Sequence, residues 1–165
     1  MKKPFFVLTA VLVSILNVSF AQSTNFDEVK LEKAADYKVA EPFALEASNY
    51  LHSTPFDKND LTRLKALQFI IKWMSGTPDY MFTLDGTPTK MSKGNSDVLG
   101  LYMAALTKYV LENKEAAKNA QLVKLNAVTL VLAYCENTAN NMKMTKELKR
   151  LSAAKAKGEL EKNIL

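Results

Sequence analysis

The chain has 165 residues, 22 Lys and Arg against 17 Asp and Glu, and a formal net charge of +5. A single cysteine excludes a disulfide-stapled scaffold, and a single histidine excludes the usual clustered metal centre. Charges of both signs are spread along the chain without a dense basic block, so nucleic acid is not an expected partner.

The first 21 residues read as a secretory leader. Lys2 and Lys3 precede an apolar stretch from Pro4 to about Leu16, and Ser19 and Ala21 stand at the −3 and −1 positions of a cleavage site before Gln22. Thr9, Ser14, Asn17 and Ser19 interrupt the run, which is short of the ~20 apolar residues a membrane span needs. No cysteine follows the cleavage site to take a lipid. The expected mature chain has 144 residues and a net charge of +3, enough for one domain held by packing, with no membrane span after cleavage.

Residues 22–40 are polar, with "FDEVKLEKAADYKV" offering at best a short amphipathic helix, and 41–165 read as one helical domain. Pro42 suits the first turn of a helix through "FALEASNYLH" that stops before Pro55. Asn59 or Asp60 then caps a helix whose Leu61, Leu64, Leu67, Ile70, Ile71 and Met74 form an apolar stripe opposite Arg63, Lys65, Gln68 and Lys72. Gly76, read as a left-handed cap, and Pro78 end it. A loop from Gly76 to Asn95 follows, within which Tyr80–Leu84 has the pattern of a short extended arm before an Asp-Gly turn. Asn95 or Ser96 caps the next helix, striped by Val98, Leu99, Tyr102, Ala105, Leu106, Tyr109 and Val110. From near Glu115 to Tyr134 runs a helix apolar on more than one face, expected to be the most enclosed. Thr145 caps a last helix with Leu148 and Leu151 inward, and Gly158 predicts fraying beyond it. The expectation is an all-α compact bundle of about five helices. A small helical-hairpin stack is the alternative, but no repeat near 34 residues recurs.

Chemistry is sparse. "FIIKWMSGTPDYMF" (69–82) holds the only tryptophan, and Trp73 at the edge of its stripe reads first as a packing corner with Tyr80, Met81 and Phe82. The loop that follows is longer than a bundle needs, and such loops tend to carry function. Trp73 and Tyr80 beside Asp79 and Asp85 are therefore the candidate binding residues for a peptide, sugar or cation. Lys93 in "KGNSD" adds a helix-start anion recipe, which ordinary capping explains better. His52 reads as a last-turn residue favourable to a helix C-terminus, and Cys135 as a buried small hydrophobe. The methionines, including Met142 and Met144, lack the spacing of a copper site, and no nucleophile elbow, phosphate loop or dinucleotide fingerprint occurs. No catalytic residue, metal or cofactor is therefore assigned.

"RLKALQFIIKWMSGTPDYMFTLD", followed by "NSDVLGLYMAALTKYVLEN", resembles small exported all-helical proteins of Bacteroidetes, over roughly Ser48 to Tyr134 and in the leader exit "FAQS". The resemblance implies an exported helical protein, periplasmic or secreted, and no catalytic residue. The functional expectation is a non-enzymatic interaction or ligand-binding module of the cell envelope, taking an envelope protein, a peptide or a small ligand. The alternative is a hydrolase whose site is assembled from the acids of the Gly76–Asn95 loop.

Overall fold

The computed structural model describes residues 25–164 apart from Leu84; the leader and its cleavage site lie outside the described residues. Eight α-helices occur among them: α1 (Ala34–Val39), α2 (Glu41–Ser53), α3 (Leu61–Gly76), α4 (Gly86–Ser92), α5 (Asp97–Glu112), α6 (Ala120–Glu136), α7 (Lys146–Ala156) and α8 (Leu160–Ile164). Short 3-10 turns precede α1, α6 and α7, and no strand forms among the described residues. The count exceeds the expected five because α1, α4 and α8 are short pieces that only tertiary contact holds.

Local signals explain most boundaries. Asp60 accepts a hydrogen bond from Arg63 N at the start of α3, Asn119 does the same from Leu122 N for α6, and Thr145 from Leu148 N for α7. Pro42 lies in the first turn of α2. Gly158, at φ +72°, reverses the chain after α7. Where fraying was expected the chain forms α8, which packs back on α7 and α6 and buries Leu160 and Ile164.

The core is arranged around α5, not α6. Ten of the sixteen residues of α5 are buried, against seven of seventeen in α6. The reason is position: α5 is enclosed by α2 and α6, with α3 and α4 also packed on it, while Leu122, Leu125 and Leu130 of α6 remain partly open. Small residues let these helices approach, with Ala44 and Ala47 of α2 and Ala104 and Ala105 of α5 fully buried. At Gly100 a Cβ would stand 2.7 Å from Leu67 Cδ2, so glycine lets that side chain pack directly on the α5 backbone.

The buried face of α3 is rotated from the expected stripe. Leu61 and Leu64 are 70% and 51% exposed, and Ile71 is also exposed. Of the expected stripe Ile70 is fully buried and Leu67 and Met74 are half-buried, while Arg63, Ala66, Phe69 and Trp73 are buried from outside it. Two long side chains with polar ends explain the rotation. The Arg63 guanidinium lies over the rings of Phe56 and Tyr134, 5.4 and 5.7 Å from their centroids. It donates to Leu51 O at 2.9 Å and to Thr54 O and Oγ1 at 3.3 and 3.1 Å, satisfying carbonyls at the end of α2. Trp73, fully buried, donates from Nε1 to Tyr37 O at 2.9 Å. A polar-headed residue with partners is as good a core residue here as an exposed leucine is a poor one.

Gly76 is the last helical residue of α3 and does not take the left-handed conformation expected of it. Its missing side chain serves another purpose: a Cβ there would collide with the Tyr37 ring and hydroxyl. The polar segment before α1 also joins the core, since Phe26 stacks on Phe69 at 5.5 Å and Leu31 is buried.

Candidate functional site

The expected long loop after α3 is shortened by α4, which spans 86–92 and buries Pro88 and Met91. The stretch read as an extended arm forms no strand among its described residues. Its aromatic side chains turn back on Trp73 instead. Tyr80 and Phe82 lie 5.7 and 6.1 Å from the Trp73 ring and 6.5 Å from each other. Tyr80 donates to Glu41 Oε1 at 3.3 Å, and burial followed by the Glu41 charge raises its pKa. Trp73 is thus an enclosed corner of the core, with no face free to grip a ligand.

Beyond Phe82 the chain borders a cleft of about 190 Å³, lined by Met81, Phe82, Asp85, Tyr102, Leu106 and Lys124 among others. Met81 stands at its rim, 91% exposed. Asp85 and Lys124 supply the charged end. Asp85 is the N-cap of α4, its Oδ1 accepting from Thr87 N at 2.8 Å and its Oδ2 from Lys124 Nζ at 2.7 Å. Burial pushes this carboxyl up, but the bonds from Lys124 and Thr87 outweigh it and hold the pKa below the ordinary carboxylate value. Tyr102 is a buried phenol whose pKa is raised by burial and then by the Asp85 charge. At neutral pH the cleft therefore presents a fixed carboxylate–ammonium pair against apolar and aromatic walls.

The five candidate residues fall into three places. Trp73 and Tyr80 form the aromatic corner behind the cleft, and Asp85 borders the cleft itself. Asp79 is exposed and faces Lys38 at 3.8 Å. Lys93 is the C-cap residue of α4 and borders a different cleft, with Lys90, Lys146, Glu147 and Arg150. In "KGNSD" the Asn95 amide donates to Lys143 O at 3.0 Å, while its Oδ1 accepts from Asp97 N at 3.3 Å, so that asparagine serves the helix start and the α7 approach. Lys124 and Tyr102 were not singled out as site residues in the sequence. Lys124 had a legible signal, being the one cation inside the apolar run "LVKLNAVTLVLAY". Tyr102 had none, because a tyrosine in a stripe looks like core.

Cys135 is buried, and His52 is half-buried with its Nε2 shielded from solvent. His52 Nδ1 lies 3.0 Å from Ser48 O, which can only accept, so Nδ1 carries the proton. Its Nε2 is buried without a hydrogen-bond partner among the described residues. Burial lowers its pKa to about 4, so at neutral pH it does not carry the charge that would favour a helix C-terminus. Burial pushes the Cys135 thiol up to about 12. Among the described residues no group of three or more His, Cys, Asp and Glu is placed to hold a metal ion, and no helix is long and apolar enough to cross a membrane. No family model, curated protein or solved structure matches this chain.

Proposed function

We propose that this is an exported, non-catalytic binding module of the cell envelope, periplasmic or secreted, whose Phe82–Lys124 cleft receives a side chain of a partner protein. Export rests on the leader pattern of Lys2, Lys3, the apolar run and the Ser19–Ala21 exit. The observation that carries the binding reading is the state of Asp85. Both of its oxygens are engaged and its pKa is held low, which suits a fixed recognition group and not a general acid or base near neutral pH. The hydrolase alternative draws no support from the site, because Asp79 faces Lys38 and does not join Asp85 in the cleft.

Size selects the ligand class. A cleft of about 190 Å³ is below the ~300–1,000 Å³ of pockets that enclose drug-sized molecules, and it suits one inserted side chain. Met81 at the rim provides a flexible apolar contact, of the kind found on adaptable binding surfaces. The test is native mass spectrometry of the protein isolated from its own envelope, beside the Met81→Asp and Lys124→Met variants. The expected result is a chain cleaved after Ala21 that carries a partner mass, lost in both variants. A bare chain, or a partner that survives both substitutions, overturns the reading.

A further inference from the structure

The fold gathers a basic cleft that the sequence keeps apart. Between α4 and the start of α7 lies a concavity of about 590 Å³ lined by Lys90, Lys93, Lys146, Glu147 and Arg150. Its walls are fixed by two long-range contacts: Thr145 Oγ1 donates to the buried Met91 O at 2.8 Å, and the Asn95 amide donates to Lys143 O at 3.0 Å. Two of the five charges cancel. Arg150 holds Glu147 through Nε and Nη2 at 3.0 and 2.8 Å, and its remaining Nη1 donates to Asn163 Oδ1 at 2.5 Å. Lys90, Lys93 and Lys146 make no ion pair within 4 Å among the described residues, and although Lys90 feels the Glu147 charge, the hollow keeps an excess of ammonium groups.

Packing does not account for this arrangement. Lys146 opens α7, at the end of the helix dipole that disfavours a cation, and it stands across from Lys90 and Lys93 at the C-terminal end of α4. Lys90, Lys93 and Lys146 are all exposed, so none serves the core. Like charge gathered around one hollow, on a surface held in place from below, is the pattern of an anion-binding site.

We propose that this cleft binds a phosphate-bearing anion, a phosphomonoester whose multiple charge matches the three ammonium groups. The volume exceeds what a bare phosphate needs, so the group it takes is attached to a larger body, either a soluble organic phosphate or a lipid headgroup. The site is separate from the Phe82–Lys124 cleft and does not rest on the function proposed for it.

The probe is inorganic pyrophosphate, titrated calorimetrically into the purified protein at ~0.15 M ionic strength, where exposed charges further apart than ~8 Å are largely screened. Three forms are compared: the unaltered protein, the Lys93→Glu/Lys146→Glu variant, and Lys157→Glu as a control about 16 Å further along α7. The expected result is saturable binding that the double reversal weakens by about tenfold or more and the control leaves within about twofold. Circular dichroism and the thermal midpoint check that the variants fold, which their exposed positions favour. A second arm sediments the protein with phosphatidylcholine vesicles with and without phosphatidic acid. Co-sedimentation that pyrophosphate reverses supports the site with a lipid source, and pyrophosphate binding without co-sedimentation supports it with a soluble one. No binding in either arm, or binding that the double reversal leaves unchanged, overturns the proposal. So does binding to a DNA duplex that pyrophosphate does not displace.

Discussion

His52 makes the stability of this protein depend on pH in a window that few other groups touch. Its Nδ1–H is committed to Ser48 O, so a second proton has to go to Nε2, which is buried with no acceptor among the described residues. The charges that face the ring are mostly unfavourable as well: Lys108 and Arg63 oppose protonation, and only Glu112 favours it. The folded pKa therefore falls to about 4 from the ordinary 6.5. The sign follows from this. The unfolded chain binds the proton more tightly, so stability is complete above pH 6.5 and declines as pH falls toward about 4. At 1.36 kcal/mol per unit, lowering the pH from about 7.5 to about 5 costs about 2 kcal/mol. With a urea dependence of about 2 kcal/mol per molar for a domain of this size, the unfolding midpoint drops by roughly 1 M. The carboxylates whose pKa values are depressed, Asp36, Asp60, Asp85, Glu136 and Glu147, start from ordinary values of 3.8 or 4.5 and lose their contribution mainly below this window. Urea unfolding followed by far-UV circular dichroism across the window, for the unaltered protein and His52→Leu, isolates the effect. The variant is expected to show a flat midpoint whatever its absolute stability. A midpoint in the unaltered protein that does not move, or one that moves equally in the variant, refutes the reasoning.

Two further outcomes follow from close packing. Gly76→Ala is expected to destabilise the protein by about 1–3 kcal/mol despite the better helix propensity of alanine, because the new methyl meets the Tyr37 ring. In a Tyr37→Ala background the same substitution becomes neutral or stabilising, and a gain in thermal midpoint without that background contradicts the close approach. Cys135, buried and with its thiol raised to about 12, is expected to resist a thiol reagent at about pH 8 until urea unfolds the chain. Rapid labelling of the native protein contradicts its burial.

The helices and their ends were largely legible because their causes are local. A capping aspartate at 60, a capping threonine at 145, the proline at 42 and the breaks at 55 and 78 each act within one turn of themselves, and the chain shows them directly. The short helices were not legible in the same way. α4 has seven residues and α8 five, too few to hold themselves in water, and they form because Met91, Leu160 and Ile164 find cover elsewhere. The candidate site was legible in part. Asp85 and the aromatic corner lie in the stretch that drew attention, whereas Lys124 reaches Asp85 from 39 positions further on.

The amino-acid sequence by itself determined that the chain is helical, where α2, α3, α5 and α7 begin, and that disulfides do not hold it, whereas α6 begins at Ala120 and not near Glu115. It also determined the composition of each helix face. Which face turns inward was decided by the tertiary structure. On α3 a leucine stripe lost to Arg63 and Trp73 because their polar ends find carbonyls on α2 and α1, partners 9 to 36 positions away. The basic cleft is likewise a product of folding, since Lys90 and Lys93 meet Lys146 only when α4 docks on α7. Periodicity reports what a helix could bury, and only the facing elements report which polar groups will be satisfied there.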